Sequence, residues 1–497
     1  MRYNRFLSAT ILCLFVLGLC VIVTGCQTEQ AGRYGQLKYP KLGDVQIPKV
    51  ERVTLANGMR LFLVEDHELP LVSASAIIRT GSVYEPADKI GLASICGSVM
   101  RTGGTTTKTG DQLDEELEQI AASVETGIGQ TSGRASMSVL KEDIDKGLAI
   151  LADVIMNPAF REDKIELAKI QHRSSISRRN DNMQAIANRE YWKVIYGPES
   201  VYARHTEYAT IDNITRDDLV AFHKRFYHPN NVMLGVVGDF DTKQMIKKVE
   251  AAFKDWQRAD VELSKVPPVQ YEFKSTVNMA RKDDINQSAI FLGHIGCLMN
   301  DPDYHALTIM NSILGESFTS RLFRNVRSRK GLAYSVFGVY SADYDHPGIF
   351  YVGCQTKSDK TVYATQAMME EVKKMTESEV TDEELALAKD SYLNSFVFNF
   401  ESKAQVLYRL MTYEYFGYPP DFLEKTKQNI EKVTEKDVLR VAKEHLHPDK
   451  MQVLVVGRPQ DFGEPLSVLG QVREIDITIP APGSADAGRG GGPPPAR

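Results

Sequence analysis

Ten histidines and six cysteines are the side chains of this 497-residue chain best suited to hold a metal or attack a substrate. The closest-spaced histidines are His445 with His447, separated by Leu446, and His223 with His228. Each pair falls at the end of a helix-like stretch ahead of a proline, Pro448 or Pro229. Turn contacts and helix-terminal charge suit histidines there better than metal ligation does. Beyond the first segment, Cys96, Cys297 and Cys354 stand among apolar neighbours with no C-x-x-C spacing. That supports neither a disulfide framework nor a thiolate zinc site, and it reads all three as small core residues. The 59 Lys+Arg against 65 Asp+Glu give a formal charge of −6. No tract reads as dense enough in Lys and Arg to form a phosphate-binding stripe, so the expectation is no nucleic-acid partner.

The remaining early cysteine with chemistry to offer is Cys26. Arg2 and Arg5 precede an uncharged apolar stretch that ends Val23-Thr24-Gly25-Cys26, the layout of a secretion signal. The ending resembles the bacterial lipobox, which implies cleavage before Cys26 and lipidation of that residue, with Gln27 fitting outer-membrane sorting; an uncleaved membrane anchor is the competing reading, since the apolar stretch approaches the ~20 residues a spanning helix requires. Residues 1–25 are then a lipoprotein signal peptide and 26–46 a tether. Losing Arg2 and Arg5 and no acid takes the formal charge from −6 to −8. The expected location is the bacterial cell envelope, lipid-anchored on the periplasmic face of the outer membrane, since several acyl chains hold a protein stably at a membrane surface.

The elements that must position any chemistry come from an internal repeat. Residues 214–238 align without gaps on 433–457, matching Thr215 with Thr434, Asp218 with Asp437, His228-Pro229 with His447-Pro448, and Val236-Val237-Gly238 with Val455-Val456-Gly457. Each copy predicts a helix opened by a capping box, stopped at His-Pro, and followed by a buried strand. Two homologous halves follow, 47–258 and 276–470, with a Pro-containing linker at 259–275 and a low-complexity tail at 471–497. Elsewhere Leu71–Ile78 alternates as a strand, Leu113, Leu117, Ile120 and Ala121 share a helix face, and the strand 348–354 reads as core. The fold class expected is α+β, with each half built of mixed sheets and helices packed on one face.

Several landmarks then resemble one family. Asn57-Gly58, Gly81-Ser82 with Glu85-Pro86, Gly91-Leu92-Ala93, Tyr227-His228-Pro229-Asn230-Asn231 and Val236-Val237-Gly238-Asp239 look like those of the pitrilysin/insulinase-type metallopeptidases. Leu314-Gly315, Ser320-Arg321-Leu322-Phe323 and Gly331-Leu332-Ala333-Tyr334-Ser335 match its second half. The resemblance spans about 47–470 and implies the two-half clamshell of mitochondrial processing peptidase subunits and bacterial zinc proteases.

Active members carry H-x-x-E-H after Gly-Leu-Ala, two His for zinc and a Glu for the metal-bound water, with a later Glu completing the site. In this chain the His positions are Ser94 and Ser98 and the general-base position is Gly97, while Ser174 and Ser175 stand where the distal Glu-Glu is expected. Serine hydroxyls are poor zinc ligands and glycine accepts no proton, so no metal is expected in this chain. Nor does the sequence offer Ser94 or Ser98 the base and oxyanion site a nucleophile needs. By the same resemblance Arg327 and Tyr334 match the pair with which active relatives hold substrate, as donors to a peptide carbonyl and its oxyanion. A structural Arg and a core Tyr are the competing reading.

The resemblance therefore implies a non-catalytic, metal-free subunit of a heteromeric zinc protease. Its partner would carry H-x-x-E-H and the zinc, and a peptide would be the substrate. Two alternatives stay open: an active zinc endopeptidase with an atypical metal site, and a scaffold or peptide-binding lipoprotein without proteolytic role.

Overall fold

The computed structural model describes residues 47–483. The signal-like segment 1–25, Cys26 with its tether, and residues 484–497 lie outside the described residues. Among the described residues no helix is long and apolar enough to cross a membrane.

Two six-stranded mixed sheets form the frame. The first half supplies β1 (Glu51–Thr54), β2 (Arg60–Glu65), β3 (Leu71–Ile78), β4 (Ser123–Ile128), β5 (Gly133–Leu140) and β6 (Val232–Gly238), in spatial order β1-β2-β6-β3-β5-β4. The second supplies β7 (Thr276–Arg281), β8 (Gln287–Ile295), β9 (Cys297–Leu298), β10 (Ala333–Tyr340), β11 (Ala342–Asp343), β12 (Ile349–Lys357), β13 (Gln452–Gly457) and β14 (Val472–Ile475). Its main sheet runs β10-β12-β8-β13-β7-β14, and β9 and β11 make a short parallel pair.

The two sheets share one topology. β2 and β6 run parallel, as do β7 and β13, and the next three pairings in each sheet are antiparallel. Only the outermost strand differs. β1 joins β2 antiparallel from the start of the described chain, whereas β14 joins β7 in parallel from its end.

The repeat explains the shared core. In the helix Arg216–Phe226, Thr215 Oγ1 accepts from the Asp218 N–H while Asp218 accepts from the Thr215 N–H, and Thr434 with Asp437 does the same for the helix Glu435–His445. Pro229 and Pro448 then each open a short 3-10 turn. Every residue of β6 and β13 is buried, as central strands covered on both faces require.

Helices cover one face of each sheet, as expected, but the opposite face is covered too. The helix Met183–Tyr196 belongs to the first half, yet its Ile186, Ala187, Tyr191 and Ile195 pack on Ala289, Phe291, Leu454 and Val456 of the second sheet. Reciprocally, Leu407, Met411 and Tyr415 of the second-half helix Lys403–Phe416 pack on Phe62, Val64, Ile77, Met233 and Val237 of the first. The exchange is pinned by polar contacts. Tyr191 donates its hydroxyl to the Gln452 carbonyl (3.3 Å), Tyr196 to that of Pro347 (2.8 Å) and Tyr415 to that of Thr131 (2.5 Å), while Arg60 pairs with Glu414 (2.9 Å).

Three expectations need correction. The tail set at 471 opens instead with β14, and Ile475 and Ile477 continue onto the core around Tyr191, because the alternating Ile475, Ile477, Ile479 pattern can pair and pack. The predicted helix through Leu113 and Leu117 ends at Glu118, leaving Ile120 and Ala121 in a turn where Ala121 adopts φ 47°. The linker 259–275 is not a bare spacer either, since Val261 and Leu263 pack on the first core and Val266, Val269 and Tyr271 on the core around Tyr191.

Because each half buries an element of the other, the halves should unfold together. Trp256 sits in the first core and Trp192 packs by the second sheet, so Trp192→Phe and Trp256→Phe each leave one reporter. Their urea transitions should coincide, and Met411→Ala should shift both, by about 2–5 kcal/mol. Separated transitions would refute the coupling.

Candidate functional site

The helix Leu92–Thr102 carries the positions where a zinc motif would lie. Gly91 precedes it at φ 109°, a left-handed turn that favours glycine. The freed N–H groups at the helix start go to Glu85, whose buried carboxylate accepts from Gly91 (3.2 Å) and Ala93 (2.5 Å). Burial pushes that carboxyl up to about 7 against the opposing pull of these N–H bonds.

Leu92, Ala93, Ile95, Cys96, Val99 and Met100 face the core, which leaves Ser94 and Ser98 exposed on the outer face. Ser98 donates to the Ile95 carbonyl (3.1 Å), and among the described residues neither hydroxyl is hydrogen-bonded to a histidine or a carboxylate.

Gly97 is buried against the edge strand β4. A Cβ on it would lie 2.4 Å from the Ile128 backbone nitrogen and 2.8 Å from the Gly127 carbonyl carbon. Thr126 Oγ1 closes the contact by donating to the Gly97 carbonyl at 2.6 Å. The position of the general base is therefore filled by backbone, and a glutamate side chain has no room there.

Ser174 and Ser175 sit on the helix Glu162–Ser177, which packs against Leu92–Thr102. Ser175 donates to the Gln171 carbonyl (3.0 Å), and Ser174 accepts from Arg178 (3.0 Å). Ser94, Gly97, Ser98, Ser174 and Ser175 thus offer neutral hydroxyls and a hydrogen, with no imidazole, thiolate or carboxylate. This donor set does not fit zinc.

The histidine pairs do not converge on a metal site either. His223 is buried, bonded through Nε2 to the Ile155 carbonyl (2.8 Å), stacked on Tyr227, and pushed down to about 4 by burial, while His228 bonds the Lys224 carbonyl. His445 turns to Asp303 (2.8 Å), and the His447 N–H donates to His294. Asp301, Asp303 and His445 bring ligand atoms within 4.8 Å of one another. The Asp303 carboxylate there is already held by two Arg440 bonds at 2.6 and 3.1 Å, which makes the group an ion-pair cluster. Cys96, Cys297 and Cys354, the cysteines among the described residues, are buried and free, and burial pushes the Cys297 and Cys354 thiols up to about 12.

The second half presents a different surface. Arg327 lies in the π-helical turn Phe323–Arg329, a rare geometry that often marks function. Its guanidinium stacks 4.4 Å over Phe323 and 5.8 Å from the Tyr334 ring, with no carboxylate partner among the described residues. Glu371, buried in the neighbouring helix, accepts from Asn325 (2.7 Å) and so ties down the turn. Tyr334 is the second residue of β10, the terminal strand of its sheet, at a register shift between Ala333 and Ser335, and it is 82% exposed. Bulges commonly re-aim a side chain in this way. The structure thus brings Arg327 and Tyr334 together, and Tyr334 is no core tyrosine.

Phe318, 78% exposed, packs edge-on against Phe323 and extends the same surface. The sequence reading overlooked Phe318, and it also overlooked that residues 321–330 hold five cations in ten positions: Arg321, Arg324, Arg327, Arg329 and Lys330. The motif spacing drew attention to Arg327 alone.

Two outcomes follow. Gly97→Ala should cost about 1–3 kcal/mol, because backbone cannot yield as a side chain can, whereas Ser94→Ala should stay within about 0.5 kcal/mol; urea denaturation separates them. Glu85, raised from its ordinary 4.5 to about 7, keeps a proton that the unfolded chain releases. Its stabilising contribution, about 3 kcal/mol, is full below about pH 4.5 and lost as pH rises through 7. Glu85→Gln should flatten the dependence of stability on pH in that window.

Comparison with known proteins agrees with this geometry. The family described as insulinase (peptidase family M16) matches residues 60–200, and the one described as peptidase M16 inactive domain matches 213–392. An uncharacterized zinc protease of Rickettsia felis is 28% identical over 338 residues, covering 67% of this chain and 80% of that protein. A Helicobacter pylori protein named non-peptidase homolog YmxG is 23% identical over 396 residues, covering 79% and 90%. The crystal structure of a peptidase M16 inactive domain from Pseudomonas fluorescens superposes with a TM-score of 0.74 at 23% identity, covering 82% and 98%. With two M16 matches following one another along the sequence, over residues 60–200 and 213–392, the chain belongs to the insulinase-type M16 peptidase family.

Proposed function

We propose that this chain is the non-catalytic, zinc-free subunit of a two-subunit M16 peptidase tethered in the bacterial envelope through lipid on Cys26. The observation that carries the reading is the asymmetry between its two surfaces. Where a zinc motif would lie, Gly97 is sealed by the backbone of β4 and two serines stand exposed. On the second half the half-exposed Arg327 and the exposed Tyr334 are adjacent and, among the described residues, without acidic partners.

An isolated zinc peptidase would need the first surface, and a plain scaffold would have no use for an unpaired, aromatic-stacked guanidinium. In this reading the partner brings H-x-x-E-H, zinc and the general base, and this chain brings chamber wall and donors to the peptide carbonyl. The name of the Helicobacter pylori relative, a non-peptidase homolog, supports a family branch without its own chemistry.

Co-purification of the tagged chain, followed by metal analysis of each separated subunit, tests this. Zinc should be found in the partner alone, and chelator should abolish peptide cleavage. Arg327→Ala should lower kcat/KM of the reconstituted pair by about 10²–10³. Stoichiometric zinc in this chain would instead favour the atypical metallopeptidase, and an unaffected Arg327→Ala complex would favour the scaffold.

A further inference from the structure

We infer that the surface spanning Phe318 to Tyr334 selects acidic peptides that also carry apolar side chains. The inference rests on the reading that Arg327 and Tyr334 hold peptide, and it adds which peptides.

Residues 317–334 contain five cations and no carboxylate, in a chain whose formal charge is −6. Neighbouring elements neutralise only part of that charge. Glu384 takes both Arg321 (2.7 Å) and Arg324 (2.8 Å), and Glu370 takes Lys330 (3.1 Å). Burial alone would raise the Glu384 carboxyl, but its bonds from Arg321 hold it at about 2, so it stays a fixed anion spent on those two partners. Among the described residues the Arg327 guanidinium meets only aromatic rings, and that of Arg329 donates only to the Asn325 amide oxygen (3.1 Å). Two guanidinium groups therefore stand without counter-charge among the described residues, within one turn of helix.

Interleaved with them are rings that contribute apolar area: Phe318 at 78% exposure, Phe323 beneath Arg327, Tyr334 at 82%, and Tyr363, half exposed under Lys330. Guanidinium groups favour carboxylates through paired N–H donors, and exposed aromatic rings favour apolar side chains. The adjacent strand β10 ends its sheet, so its outer backbone edge has no strand partner among the described residues and can meet an extended chain. A lipid headgroup would have no use for that edge, which is why a peptide is the favoured occupant.

The test measures binding to the purified full chain without a partner subunit, so that it stands apart from zinc and cleavage. The probes are a fluorescein-labelled decapeptide alternating Glu and Leu, its Lys-for-Glu counterpart, an oligo-dT strand, and vesicles containing phosphatidylglycerol. The Glu/Leu peptide should bind at least about tenfold tighter than the Lys/Leu peptide, and added salt should narrow the gap. Arg329→Gln and Phe318→Ala should each weaken it by about threefold or more with unfolding midpoints unchanged, and Arg329→Lys should retain the preference for acid. Equal binding of the two peptides, or tighter binding of oligo-dT or anionic vesicles than of the Glu/Leu peptide, would overturn the inference. Loss of the zinc-bearing partner in the co-purification would instead strike the functional reading.

Discussion

The reciprocal exchange of one helix between halves is the contact on which the rest of the molecule depends. A six-stranded sheet whose central strand is buried throughout needs cover on both faces, and here the second cover comes from the other half. Met183–Tyr196 and Lys403–Phe416 occupy equivalent places in the two repeats, and each leaves its own half to close the other's sheet. The all-buried strands β6 and β13 are stable only because of that second cover. Duplication thus yielded one interlocked body in which neither core is complete alone.

A second repeated contact shows how the halves diverged. In the first, Gly97 of the helix meets Gly127 on the terminal strand β4; in the second, Gly315 meets Gly338 on the terminal strand β10, with a Cβ on Gly315 placed 2.3 Å from the Gly338 nitrogen. Both are places where two backbones approach within the space of a side chain. In the first half that approach removes the site of a general base. In the second it anchors the helical segment that ends at Glu316, and beyond the turn at 317–320 the stretch Phe323–Arg329 sets Arg327 beside Tyr334.

Much of this was legible in the sequence, for physical reasons. Thr215 with Asp218 and Thr434 with Asp437 satisfy helix-start N–H groups by local chemistry, which short motifs encode directly. The loss of donors at Ser94, Gly97 and Ser98 could be read position by position. The exchange of helices could not, because the amphipathic pattern of Met183–Tyr196 states that one face is buried and not against which sheet. Nor could the closeness of Gly97 to β4, which depends on long-range packing. Residues 471–480 misled because proximity to a Gly-Pro-rich end outweighed a short apolar alternation. The basic segment 321–330 was passed over because its charges are spaced by apolar residues, and only the fold shows that Glu384 and Glu370 leave Arg327 and Arg329 unneutralised.

The crossed helices also constrain biosynthesis. The face of the first sheet formed by Phe62, Val64, Ile77, Met233 and Val237 waits for Leu407, Met411 and Tyr415, residues that emerge from the ribosome long after the sheet itself. Until then a nascent chain exposes a broad apolar surface and unpaired strand edges, the state most open to aggregation. The order of the residues thus sets a long interval in synthesis between the first sheet and the helix that covers it.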